Sequence, residues 1–191
     1  LYAQWTANTD TQYTVKHYKQ NIDNDGYTFF EEETLEWTTD TDTAATAKTY
    51  EWFTSPSVIT QEPIEWDGST IVEIMYTRNS YTLSYEYTNT PEWAPALPSD
   101  VSYKFWAPIT LEDAPSMYGY TFGWWQNFPA GNTMPADDVT VEWTWTPVQY
   151  TVSVSLKTNS ENSALWWVVY GAGDYDYKSE VTLFAIPNEW Y

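Results

Sequence analysis

Polar and apolar residues alternate with a period of two along most of the chain, and that period predicts strands. In the first run Tyr13, Val15 and His17 share one face, with Thr14, Lys16 and Tyr18 on the other. Asn21-Ile22-Asp23-Asn24-Asp25-Gly26 then separates it from a second run, Tyr27-Thr28-Phe29-Phe30. An Asp-Gly between two such runs predicts a hairpin. Residues 38–48, rich in Thr, Asp and Ala, read as a short helix or an irregular crossover. Ser55-Pro56, Glu62-Pro63 and Asp67-Gly68 punctuate loops before a strand over Ile71–Thr77. The alternation restarts at Tyr81-Thr82-Leu83-Ser84-Tyr85-Glu86-Tyr87, and Pro91, Pro95 and Pro98 make 90–99 a loop. Val101–Ile109 is strand-like, and Leu111–Tyr118 has room for one helical turn. Gly119–Trp125 is expected to pair with Val139–Trp145. A last run places Tyr150, Val152, Val154 and Leu156 on one face.

The runs repeat. Gln12-Tyr13-Thr14-Val15 and Gln149-Tyr150-Thr151-Val152 are identical, and Ser80-Tyr81-Thr82-Leu83 is a close variant, so the three Tyr starts lie 68 and then 69 residues apart. A near-constant interval of that size means tandem modules. The expected division is 1–12 as the end of a preceding repeat, modules at 13–80 and 81–149, and an incomplete third at 150–191. Leu1-Tyr2-Ala3-Gln4-Trp5-Thr6 parallels Val141-Glu142-Trp143-Thr144-Trp145-Thr146, so the chain reads as a segment of a longer polypeptide. The fold class expected is mainly β to α+β: small modules, each a twisted mixed sheet with at most one short helix. The predicted core is Tyr13, Val15, Tyr81, Leu83, Tyr120, Phe122, Trp125, Val141, Trp145, Tyr150 and Val152.

Charge narrows the partners. With 27 acidic and 7 basic residues the formal net charge is −20, which argues against nucleic acid and against an anionic membrane surface. No apolar run is long enough for a spanning helix. Cysteine is absent, so modules of this size must rely on aromatic burial and on their neighbours.

Two resemblances arise from these residues. Ile109-Thr110-Leu111, Ala114-Pro115, Gly119-Tyr120-Thr121-Phe122-Gly123 with Trp125, and Val139-Thr140-Val141 with Trp145 resemble the Listeria–Bacteroides repeat of internalin-type B-repeat proteins. The first module, from Tyr13-Thr14-Val15-Lys16-His17-Tyr18 through Asp25-Gly26-Tyr27 and Asp67-Gly68-Ser69-Thr70 to Tyr76, is similar to a mucin-binding-protein repeat. Both resemblances imply β-grasp-like modules strung along secreted or wall-attached proteins as adhesins or spacers, without catalysis.

The chain departs from those patterns by carrying Trp where they want Gly. It has 13 Trp and 7 Gly, about half the glycine an average composition gives. Glycine takes turn positions because it tolerates positive φ, which a bulky residue does not. The expectation is that some Trp codons are UGA read as glycine in the source cell. The positions singled out are Trp37, Trp52, Trp106, Trp124, Trp143 and Trp190; Trp143 falls opposite Ala3 and Trp190 opposite Gly119 when the copies are laid together. Trp66, Trp93 and one of Trp166 and Trp167 are secondary candidates, while Trp5, Trp125 and Trp145 read as genuine tryptophans.

Candidate chemistry is sparse. Asn21, Asp23, Asp25 and Glu32 match the ligand spacing of a calcium loop with Gly26 at its turn, but strand-like flanks favour an Asx-rich hairpin. Thr39-Asp40-Thr41-Asp42, Asp174-Tyr175-Asp176 and Glu31-Glu32-Glu33 read as solvated acidic stretches. His17, the single histidine, sits in an alternating strand and reads as packed rather than catalytic. An isopeptide from Lys16 or Lys104 is not required by any spacing. No cofactor motif and no nucleophile turn is present. Two functional classes follow: a non-catalytic adhesin stalk or spacer, extracellular, partnered by neighbouring repeats and by host or cell-surface protein or glycan; or a carbohydrate-binding module with exposed Trp and Tyr platforms.

Overall fold

The computed structural model describes residues 2, 4, 6–155 and 167–188. All regular secondary structure among them is strand. The first sheet contains β1 (Thr11–Gln20), β2 (Tyr27–Trp37), β3 (Phe53–Thr54) and β4 (Ile71–Arg78) in the order β2-β1-β4-β3. β1 runs antiparallel to β2 and parallel to β4, with Thr14 opposite Ile71. The second holds β5 (Ser80–Thr88), β6 (Val101–Lys104), β7 (Tyr120–Phe122) and β8 (Val139–Pro147), ordered β6-β5-β8-β7. Two-stranded pairs follow: β9 (Gln149–Val152) with β11 (Gly173–Asp176), and β10 (Trp167–Tyr170) with β12 (Phe184–Pro187). The chain is thus mainly β, in tandem modules of small sheets. By packing it divides into two compact units, Leu1–Ser84 with Ser99–Leu111 and Asn127–Thr140, and Tyr85–Pro98 with Glu112–Gln126 and Val141–Tyr191.

Alternation decides what is buried. On β1, Tyr13, Val15 and His17 point inward with β4's Val72, Ile74 and Tyr76, all at most 1% exposed, and Ala45 and Ile64 complete that core. On β8, Val139, Val141, Trp143 and Trp145 are buried, and Thr140, Glu142 and Thr144 are not. Indoles and phenols fill the space beside the latter: Trp143 lies 4.8 Å from Trp125 and 5.4 Å from Trp145, and Tyr85 packs 4.8 Å from Trp125. A buried indole removes on the order of 200 Å² from water, about 5 kcal/mol at about 25 cal/mol per Å².

Several expectations are corrected. Of the two readings of 38–48 the irregular crossover is the one found, and 111–118 forms no helical turn, as runs of Thr and a Pro-containing loop favour. β2 extends through Glu31-Glu32-Glu33 to Trp37 rather than ending at Phe30. A bulge between His17 and Tyr18 leaves Phe30 without a register partner. Glu31, Glu33 and Leu35 then stand opposite His17, Val15 and Tyr13 on the inner face, so this acidic run is not simply solvated. β6 stops at Lys104, where the chain turns. Tyr150, expected in the core, is 45% exposed; among the described residues β9 pairs with β11, which puts Tyr150 opposite Tyr175, and with no further strand.

The same backbone frame recurs. After β2, Thr41 N–H bonds Thr38 C=O; after β6, Ala107 bonds Lys104; after β11, Ser179 bonds Asp176. Each turn has one residue at positive φ: Asp40 at 63°, Trp106 at 67° and Lys178 at 63°. Asp40 N–H then donates to Ile64 C=O as Trp106 N–H donates to Met134 C=O, and the side chains of both accepting residues are buried. The isolated bridges Asp42–Pro63 and Pro108–Thr133 match as well. Before β3 and β7, Phe53 N–H bonds Tyr50 C=O and Tyr120 N–H bonds Met117 C=O, both at 3.2 Å. Phe53 pairs with Arg78 as Tyr120 pairs with Pro147. Single residues, Asn79 and Val148, separate β4 from β5 and β8 from β9.

Candidate functional site

The most concentrated chemistry belongs to the first sheet. Tyr76 Oη accepts the Lys48 amide at 2.9 Å and lies 2.9 Å from His17 Nδ1. An ionised carboxylate only accepts, so His17 Nε2–H donates to Glu33 Oε1 at 3.2 Å, and Nδ1 shares its hydrogen bond with the Tyr76 hydroxyl. Lys48 Nζ bridges Glu31 at 3.3 Å and Glu33 at 3.4 Å. Tyr50 donates to Glu31 and packs edge-on to Tyr76 at 4.7 Å. Hydrogen bonding from Tyr50, then Lys48, holds the Glu31 carboxyl below its usual range. Burial, then the Glu31 acceptor, pushes the Tyr50 phenol up; burial does the same for Tyr76. His17 is fully buried with both ring nitrogens engaged, so its imidazole is not presented to the surface. Sequence reasoning missed Glu31, Lys48 and Tyr50, which meet only after a bulged strand turns the carboxylates inward.

A second feature is a cleft of about 650 Å³ bordered by Lys19, Tyr50, Trp52, Phe53, Arg78 and Trp106. Its cations are already covered by rings. Lys19 Nζ lies 3.3 Å over Phe30 and 4.1 Å over Tyr50, and the Arg78 guanidinium lies 4.6 Å over Phe53. Arg78 is also pinned by Nε donating to Gln20 C=O at 3.2 Å. Burial lowers the pKa of both cations. Trp52 stacks on Phe105 at 4.5 Å and 21°. Such an apolar wall with pinned cations suits a flat ring or a sugar face.

The calcium-loop candidates do not converge. Asn21 and Asp25 are in the hairpin turn, where Asn24 Oδ1 accepts Gly26 N–H and an Asn21 amide hydrogen, and Thr28 donates to Asn21. Glu32 stands away in β2, opposite Lys16. Lys104 Nζ takes the turn's oxygens instead: Asn24 C=O at 2.6 Å, Asp25 Oδ1 at 3.0 Å and Asn21 C=O at 3.3 Å. Asp23 is not among these partners. Among the described residues no group of three or more His, Cys, Asp or Glu is placed to hold a metal. Lys104 is committed to that turn.

The other singled-out residues sort by position. Leu83, Trp125, Val141 and Trp145 are buried; Tyr81, Tyr120 and Val152 are half-buried; Phe122 stands in β7 opposite Trp145. Trp37 closes β2 on the surface, and Trp66, Trp93, Trp167 and Trp124, the last 84% exposed, are also at the surface. Trp52 and Trp106 adopt positive φ, 65° and 67°. Trp143 is fully buried, at odds with the small residue that alignment on Ala3 suggests, because alternation along β8 turns it inward. Trp5, Trp166 and Trp190, with Leu156, lie outside the described residues.

No helix among the described residues is long and apolar enough to cross a membrane. No protein-family model matches the chain, and no curated protein matches it. Among solved structures it is similar to domains 3-4 of the Streptococcal High Identity Repeats in Tandem (SHIRT) of a cell surface protein. That similarity has 15% identity and a TM-score of 0.26, and covers 71% of this chain and 99% of the other.

Proposed function

We propose that the chain is a non-catalytic repeat segment of a secreted or surface-attached bacterial protein, serving as a stalk or spacer that carries adhesive modules. The observation that carries this reading is the recurring backbone frame, with single-residue connectors at Asn79 and Val148. Repeats joined without linkers transmit position along a chain, and a spacer needs that property. The resemblance to Listeria–Bacteroides and mucin-binding-protein repeats supports the same reading, with modules at 13–80 and 81–149 and a partial third from 150. The only histidine is locked in a buried network, which supports a role without catalysis. An antibody against this segment is expected to label intact source cells; labelling only after permeabilisation would contradict a surface role.

A second reading is favoured by the exposed Trp66, Trp93 and Trp124 and by the aromatic cleft at Trp52 and Trp106. In it, indole faces stack on sugar rings. Saturable binding on a glycan array, lost on Trp66→Ala or Trp106→Ala, would favour that reading over the spacer.

Part of the Trp content we read as UGA-encoded glycine. Trp52 supports this, since left-handed backbone costs an ordinary residue roughly 1–2 kcal/mol. Each glycine so delivered removes a sugar platform. Peptide mass spectrometry on protein from source cells decides between the two residues.

A further inference from the structure

Resting on that glycine reading, the shared frame allows the Trp positions to be sorted one by one. Trp52 directly precedes β3, as Gly119 directly precedes β7. The carbonyl of Trp52 accepts the N–H of Asn79 at 3.0 Å, and that of Gly119 accepts the N–H of Val148 at 2.9 Å. Both are at positive φ, 65° and 82°. The same two connector residues then accept the amides of Phe105, at 2.7 Å, and Tyr177, at 2.9 Å. Phe105 and Tyr177 are therefore equivalent, and each has its ring on the positive-φ residue. Tyr177 lies so close over Gly119 that a Cβ there would collide with its Cδ1, Cε1 and Cγ atoms. Phe105 meets the indole of Trp52 instead.

Trp143 has a different counterpart. The pairing of Phe53 with Arg78 and of Tyr120 with Pro147 aligns β4 with β8, and on that alignment Trp143 takes the place of Ile74 and Trp145 that of Tyr76. Ile74 is a core side chain. Glycine at 143 would leave Trp125 and Trp145 facing an empty space where Trp143 now packs at 4.8 and 5.4 Å. Trp106 stands where Asp40 and Lys178 stand, so its backbone does not single out glycine.

We infer that residue 52 is glycine in the protein made by its own cell, so that Phe105 seats on a glycine step as Tyr177 does on Gly119, and that residue 143 is a genuine tryptophan. The test is tandem mass spectrometry of peptides spanning 52, 106, 124 and 143 in the full chain purified from source cells. The expected result is glycine at 52 and tryptophan at 143. Tryptophan at 52 with glycine at 106 or 124 would overturn the inference and leave the glycine reading standing. Tryptophan at all four positions would sink both. Glycine at 143 would overturn the second half, and with it the alignment of β4 on β8.

Discussion

Where the first sheet places Ile74 and Tyr76, the second places Trp143 and Trp145, and the two modules fill one backbone frame by different chemistry. The first surrounds a small aliphatic core with a wired polar cluster: His17, Tyr76, Tyr50, Lys48, Glu31 and Glu33. The second is filled by indoles and phenols in tilted and edge-on contact. The frame is a matter of backbone bonds and alternation and is indifferent to what fills it. Sensitivity to pH and to cavities is not, and there the modules should part.

The largest difference is expected from truncating the second core. Trp143→Ala removes a fully buried indole and should cost about 3–5 kcal/mol in urea unfolding, with the loss concentrated in β5–β8. Ile74→Ala at the equivalent place should cost less, within the ~2–5 kcal/mol range for aliphatic truncation. An equal or reversed ranking would break the claim that β4 and β8 are equivalent strands differing in load.

Next comes the wired cluster. Tyr76→Phe removes the hydroxyl that serves both His17 and the Lys48 amide and should cost about 1–3 kcal/mol. Exchange protection should drop in β1 and β4 and hold in β8. Its pH dependence has a definite sign. Glu31 is held below its unfolded value, so its contribution is full above about pH 4.3 and is lost as pH falls through the depressed folded value. Tyr50 and Tyr76 are raised, so theirs is full below about pH 10 and is lost as pH rises toward the folded values. Glu31→Gln should flatten the acid limb of a stability-versus-pH curve.

The smallest effect is expected at Lys104. Asp25 is almost fully exposed, so Lys104→Met should cost no more than about 1 kcal/mol, and salt should shrink the difference. Thermal unfolding at low and high ionic strength measures both.

Much of the frame was legible in the sequence. The Tyr-Thr starts, the period of two through Tyr13, Val15 and His17, and the turn after Asn21 are local signals, and local signals survive reading one residue at a time. The wired cluster was not legible. Glu31 and Glu33 look like part of a charge run until the bulge after His17 sets them inside, and Lys48 and Tyr50 reach them from an irregular segment with no period. Trp143 falls opposite Ala3 when the copies are laid together, whereas alternation from Val139 and Val141 points it inward. Tyr150 carries the same motif as Tyr13 but, among the described residues, has one neighbouring strand where Tyr13 has two, and burial depends on partners that a motif does not contain.

The most direct test of the account is amide hydrogen exchange, followed segment by segment as pH falls from neutrality through the carboxylate range and corrected for intrinsic exchange. The account predicts that β1, β2 and β4 lose protection before β5 and β8 do, since the Glu31 and Glu33 carboxylates brace the first core while indoles fill the second. Simultaneous loss in both sheets, or earlier loss in the second, would contradict it.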